Sequence, residues 1–304
     1  MSELTQADQY LLARIESGDP DGWSQLVDRY QGRLLAFARD QLGNAADAED
    51  TVQEAFMSFL KAWPQFRGES SLETYLFSIL RRKIVDTFRG RPVYICSLQD
   101  GATSLDGEDD MAHRIKAPGP TASWYVRRDE DHDQLEKALW KVLSQLIDRF
   151  KSELNFRDLQ VAEMIFYAQL RNKDIAAASG IDPKQVALLK HRFLKRIAQD
   201  AADDGSTHSG ATDGSAFADP AMLTRVWEEH RPSCPKRSTI GAFLLGTLDR
   251  PWHDYVGFHL NQLGCRFCQA NLVDLKLQDA EPDRETDRLR DRIMQSTVGF
   301  LRKA

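Results

Sequence analysis

Between Asp47 and Arg91 the apolar residues recur at helical spacing while the charges sort by sign along the chain, and few folds accommodate both patterns. Val52, Phe56, Phe59, Leu60 and Trp63 share one face of a helix predicted from Asp47 to Trp63. Asp47, Glu49, Asp50, Gln53 and Glu54 gather on the rest of its first turns. Pro64 stops that helix, and Gly68 with Ser70 and Ser71 forms a short loop whose serines can cap the helix after it. The second helix, Leu72 to Arg89, turns Leu72, Leu76, Ile79 and Val85 inward and collects Arg81, Arg82, Lys83 and Arg89 on its basic side. An acidic helix, a polar loop and a basic helix suit a protein partner on one surface and nucleic acid on another.

Two further helices precede this stretch. Leu4 to Gly18 carries Tyr10, Leu11, Leu12 and Ile15. After Asp19-Pro20, the segment from Asp21 to Leu42 carries Trp23, Leu26, Val27, Tyr30, Leu34, Leu35 and Ala38, with a stop at Gly43-Asn44. No period-two alternation of any length interrupts them, so this part of the chain is expected to be all-α.

With DAEDTVQEAFMSFLKAW followed by FRGESSLETYLFSILRRKIVDTFR, residues Asp19 to Arg91 resemble region 2 of the extracytoplasmic-function (ECF) class of bacterial RNA polymerase sigma factors. The resemblance implies that the acidic helix, through Asp47, Glu49, Asp50, Gln53 and Glu54, faces core RNA polymerase. It also implies that the 66–71 loop and the basic helix receive the minus-ten element of promoter DNA. Phe66, Arg67, Ser70, Ser71, Tyr75, Arg81, Arg82, Lys83 and Arg89 are the expected DNA contacts. Such a loop must offset the few kcal/mol needed to unstack a base, and stacking and pocket contacts return about 1–3 kcal/mol per base.

At 304 residues, 42% hydrophobic and 28% charged, the chain is long enough for two or three domains with real cores. Its net charge of −6 excludes general polyanion binding, so any nucleic-acid contact must come from local basic patches. No signal-like apolar run and no bilayer-length apolar stretch is present, and a cytoplasmic location without membrane contact is expected.

The predicted organisation is a region 2 bundle at 1–91, an acidic linker at 92–134, a second helical domain at 135–200, a linker at 201–219 and a C-terminal domain at 220–304. The first linker holds nine Asp and Glu against four Lys and Arg between Val93 and Gln134, without periodicity. Leu135 to Ile147 and Phe156 to Ala168 are predicted helices. Asp174 to Ser179, a turn at Gly180, and a helix started by Asp182-Pro183 then form a helix-turn-helix. Val186, Leu189, Phe193 and Ile197 make the buried stripe of its second helix. Lys184, Gln185, Lys190, His191 and Arg192 are placed on the DNA side, Gln185 to read a base edge. This stretch resembles region 4 of the same sigma factors, which reads the minus-thirty-five element. Leu188-Leu189 stands where many relatives carry small polar residues.

Cysteine spacing governs the C-terminal third. Cys265-x2-Cys268 places two thiolates on one ion, and Cys234 and His259 complete a Cys3His set suited to structural zinc. The pattern resembles the zinc-binding anti-sigma domain, with two departures: Cys234 replaces an upstream His, and five residues rather than three separate His259 from Cys265. Leu263-Gly264 must therefore bend the chain, and His230 or His253 remain alternative ligands. IGAFLLGTL and WHDYVGFHL are expected to be helices around the metal, and Glu281 to Lys303 a charged helix that folds back on this domain or on the sigma domains.

Three functions are consistent with these features. The first is a sigma factor with a fused regulatory zinc domain that contacts the sigma domains in cis. The second is a helix-turn-helix regulator acting without polymerase docking. A metalloenzyme is the third: Glu228 and Glu229 lie near Cys234, but three thiolates and an imidazole fill a tetrahedron and leave no open position. No enzymatic activity is expected.

Overall fold

The computed structural model describes residues 4–66, 68, 70–90, 130–203, 217, 219–278 and 284–301, and every element among them is helical. Residues 92–129 of the expected linker at 92–134, most of that at 201–219, Cys96 and Arg67 lie outside the described residues, whereas 130–134, expected to be linker, are already helical because the following helix starts at Glu130 rather than Leu135. The chain forms two compact units, one built mainly on 6–66, 75–90 and 284–301, the other mainly on 130–278.

The first unit begins with α1 (Gln6–Glu16) and α2 (Pro20–Leu42). Asp19 caps α2 by accepting from the Asp21 amide at 2.9 Å, Pro20 sits where its missing N–H costs nothing, and Arg14 holds the cap at 2.7 Å. Gly43 closes α2, and Asn44 immediately opens α3 (Ala45–Ala62) by accepting from the Ala46 and Asp47 amides. The expected plain stop at Gly43-Asn44 is thus a C-cap fused to an N-cap. A 3-10 turn, Trp63–Gln65, ends α3 at Pro64, as predicted. The Ser71 hydroxyl accepts from the Thr74 amide at 3.1 Å and starts α4 (Leu72–Gly90).

The core of this unit is aromatic. Trp23 is fully buried, edge-on to Phe56 and stacked with Phe59. Leu76 and Ile79 point inward as expected, joined by Phe77, Leu80 and Ile84, and Leu72 is buried as expected. Val85 is only half-buried, because Ile84 takes the inward position one residue earlier. Tyr10 differs more from its expected place: it is 60% exposed, with Arg14 over its ring.

The second unit holds α5 (Glu130–Ser152), α6 (Phe156–Ala162), α7 (Asn172–Ser179), α8 (Pro183–Asp203), α9 (Pro220–His230), α10 (Arg237–Leu244), α11 (Arg250–Gly257) and α12 (Arg266–Gln278). The helix expected from Phe156 to Ala168 is interrupted: α6 gives way to a π-helical turn, Glu163–Tyr167. Such turns recur at functional sites. The remaining helix, α13 (Arg284–Leu301), belongs to the first unit.

Residues 130–203 and 220–278 share one core. Phe166, Phe193 and Trp227 stack in series, and Phe156 stacks on Tyr255 at 4.6 Å. Arg225 pairs with Glu136 at 2.8 Å, and the Lys151 ammonium donates to the Pro232 carbonyl at 2.8 Å. Five aromatic rings buried at 150–250 Å² each outweigh what these few polar links contribute. No described helix is long and apolar enough to cross a membrane.

Candidate nucleic-acid interface and metal centre

The acidic surface of α3 is not uniformly open. Glu49 and Gln53 are half-buried, whereas Asp50 and Glu54 are exposed. The cover is α13, whose Leu289, Ile293 and Thr297 are fully buried. Thr297 Oγ1 accepts from the Trp23 indole at 2.8 Å, tying α13 to the centre of the aromatic core. At the rim, Arg292 reaches Glu49 at 3.0 Å, Gln53 at 3.0 Å, and Asp50, while Arg290 holds Ser24 at 2.6 Å and Asp28. Among the expected polymerase-facing residues, Glu49, Asp50 and Gln53 therefore share one guanidinium. Glu54 faces Lys83 of α4 at 3.6 Å, and Asp47 supplies the carbonyl that the Thr51 hydroxyl bonds.

Exposed ion pairs of this kind contribute about 0–1 kcal/mol each. Burying Leu289 and Ile293 contributes about 1.5–3 kcal/mol each. Packing holds α13 in place, and the arginines set its register.

The 66–75 stretch forms an aromatic edge. Phe66 and Tyr75 lie 4.6 Å apart between centroids, and Trp63 approaches Phe66 at 6.0 Å. Both Phe66 and Tyr75 are half-exposed, so they present ring surface outward while packing inward. Burial raises the Tyr75 phenol, with Arg82 acting in the opposite sense. Ser71 is committed to its cap, and Ser70 lies beside it at half exposure. Arg82 is exposed, Arg81 and Lys83 half-buried, and Arg89 lies on α4.

In α7–α8 the turn is made by Gly180 at φ +66, a conformation costly for other residues, with its amide bonded to Ala176 at 3.0 Å. Asp182 accepts from the Lys184 amide at 2.7 Å and caps α8. Val186, Phe193 and Ile197 are buried as expected, and Leu189 is half-buried. Lys184, Gln185, His191 and Arg192 are exposed, with Lys190 half-buried beside them. Leu188 is also exposed, at 47%. The outer face of α8 thus offers donors and cations together with one apolar side chain, which suits a thymine methyl.

Cys234, His259, Cys265 and Cys268 converge, their ligand atoms all within 4.8 Å of one another. The Sγ atoms of Cys234 and Cys265 lie 3.7 Å apart. A tetrahedron of thiolates about 2.3 Å from zinc has an edge of about 3.8 Å, so the spacing fits. His259 is 1% exposed, and its Nε2 has no hydrogen-bond partner, as a ligand nitrogen requires. The two extra residues between His259 and Cys265 are absorbed by a π-helical turn, Phe258–Gln262, and by Gly264 at φ +63. The bend expected at Leu263-Gly264 is present. The alternative ligands point elsewhere: His230 stacks on Trp140 at 4.4 Å, and His253 is exposed against Phe243 at 4.8 Å.

The cluster titrates as a set. Burial opposes ionisation of Cys265, but hydrogen bonds from Cys234 and Cys268 and the nearby His259 hold its thiol well below the ordinary range. Burial pushes Cys268 well up, and the hydrogen bond to Cys265 raises Cys234. For His259 burial disfavours the cation, yet Glu163 and the sulfurs raise it well above its usual value. A divalent cation held by Cys234, His259, Cys265 and Cys268 would replace these competing protons and favour the ionised sulfurs. The site fits a metal ion.

Two residues absent from the expected site lie against it. Glu163, fully buried at the start of the α6 π-turn, brings Oε1 within 2.9 Å of His259 Nδ1, off the line of a hydrogen bond, and accepts from the Tyr255 hydroxyl at 3.2 Å. The Tyr167 hydroxyl approaches Cys265 Sγ at 3.6 Å. Both belong to the segment predicted to read DNA, about 100 residues away in sequence, and no local pattern marks them.

Residues 26–92 match the family described as sigma-70 region 2. The chain is similar to a probable RNA polymerase sigma factor of Haemophilus influenzae, 40% identical over 29% of this chain and 46% of that protein. It is 28% identical to the RNA polymerase sigma-H factor of Pseudomonas aeruginosa over 52% of this chain and 79% of the relative. The ECF RNA polymerase sigma-E factor of Escherichia coli is 36% identical over 24% of this chain and 37% of its own. The chain thus spans under half the length of the first and third of these relatives. No solved structure matches.

Proposed function

We propose that this chain is an ECF-class sigma factor that directs core RNA polymerase to specific promoters, with residues 220–304 as a built-in regulator. The similarity to sigma factors supports the first half, and the exposed cationic face of α8 agrees with it. Region 2 would dock on polymerase through α3 and take the minus-ten element at the Phe66–Tyr75 edge and along α4. The α7–α8 pair would read the minus-thirty-five element. The chain acts by binding rather than by catalysis, and as a partner of polymerase it works in the cytoplasm.

The observation that carries the regulatory half is the grip of Arg292 on Glu49, Asp50 and Gln53. These are residues that the resemblance assigns to polymerase, so α13 and polymerase compete for them. The Cys3His set binds zinc as a closed structural centre that stabilises the 220–278 segment.

Run-off transcription with purified core polymerase on randomised promoter templates tests this function. Initiation at a shared promoter motif is expected. Operator binding by the free chain, with no initiation on core enzyme, would favour a polymerase-independent regulator instead.

A further inference from the structure

The metal centre draws on more of the chain than its four ligands. Glu163 is 0% exposed and sits where α6 changes to a π-helical turn, a local distortion that shifts the turn's side-chain register. Its Oε2 has no hydrogen-bond partner, and its Oε1 is 2.9 Å from His259 Nδ1. A buried carboxylate is costly unless something compensates it. The Tyr255 hydroxyl donates to it at 3.2 Å, and the Lys151 ammonium lies near enough to interact with its charge. That hydroxyl also bonds the Ser233 carbonyl at 2.7 Å, so it is shared.

Imidazoles that bind metal through one nitrogen typically present the other to a carboxylate, which fixes the ring and strengthens the donor. Here Nδ1 faces Glu163, leaving the unpartnered Nε2 for the sulfurs. Given that the Cys3His cluster holds a metal, we infer that Glu163 is the positioning residue of this centre. It orients His259 toward the three cysteines and makes metal occupancy a clamp between 130–203 and 220–278. The ligands come from the C-terminal segment and their anchor from the helix-turn-helix segment, so loading the ion tightens the packing of one on the other.

The test uses the full-length chain, loaded with zinc or cobalt, as wild type, Glu163→Gln and Tyr255→Phe. Metal affinity is read by competition with a chromophoric chelator, ligand geometry by the cobalt absorption spectrum, and stability by melting with and without metal. Glu163→Gln is expected to weaken zinc binding roughly 10- to 100-fold and to alter the cobalt bands. It should lower the melting temperature of the loaded protein more than that of the metal-free protein. Tyr255→Phe removes the hydroxyl that donates to Glu163 and is expected to change affinity less than threefold.

Affinity of Glu163→Gln within twofold of wild type overturns the inference, as does an equal loss of melting temperature with and without metal, which marks a purely structural acid. If Glu163→Gln does not fold, Glu163→Asp keeps the charge with a shorter reach, and unchanged affinity there overturns it equally. Failure of the wild-type chain to bind zinc would remove the metal reading itself, a different result from a wild type that binds and a variant that binds as well.

Discussion

The acidic face of α3 and the basic face of α8 are the two charged helical surfaces most readily assigned to partners, and the fold treats them oppositely. On α3, Glu49 and Gln53 are half-buried beneath α13, with Arg292 among them. On α8, Lys184, Gln185, His191 and Arg192 remain exposed, although Phe193 and Ile197 on the other side are buried. The 220–278 segment packs beside α8, through Trp227 against Phe193, yet it does so on the side away from the cations. The acidic surface is thus partly covered by α13, while the cationic face of α8 stays exposed.

The largest expected effect comes from the metal centre. Cys265→Ser removes one of the four proposed ligands, and zinc held by such a set would stabilise folding by on the order of 10 kcal/mol. The substitution should abolish stoichiometric zinc binding and erase amide-exchange protection in α11 and α12. Protection in α13 should persist, because its core is made with α2 and α3; parallel loss in α13 would break the contrast between the two regions.

Next in size is Ile293→Ala. Truncating this fully buried side chain should cost about 2–5 kcal/mol. Arg292→Ala, whose pairs are partly exposed, should cost about 1 kcal/mol or less. Chemical denaturation of the two variants checks the order, and a reversed order would make charge, not packing, the glue of the cover.

On the open face, Gln185→Ala should lose about 1–3 kcal/mol of discrimination at one base pair. Lys184→Ala should weaken DNA binding across sequences and lower the salt slope by about 1. Binding isotherms at several salt concentrations separate the two effects.

Much of this architecture was legible in the chain because local rules were obeyed. Asp19-Pro20, Pro64, Ser71 and Asp182-Pro183 mark helix starts and stops by their own chemistry, and the structure uses each of them that way. The Cys3His set was legible from spacing, and so was the need for a bend at Gly264. Other features were hidden for a physical reason. The π-turn at Glu163–Tyr167 arises from long-range packing, and Glu163 meets His259 only once α6 and α11 are docked. Tyr10 fits a helical stripe in sequence, but nothing among the described residues covers it beyond the Arg14 guanidinium. The fold-back of α13 was one of two expected placements, and the choice between them rests on the burial of Leu289 and Ile293 and on the Trp23–Thr297 hydrogen bond across 274 residues of separation.

The central claim is that α13 and core polymerase compete for the same acidic surface. The direct measurement is the affinity of purified core RNA polymerase for the full chain and for a chain ending at residue 278. Removal of α13 is predicted to tighten binding at least tenfold, an increment of about 1.4 kcal/mol that is well within what its buried side chains contribute. Equal affinities for the two chains would contradict the account.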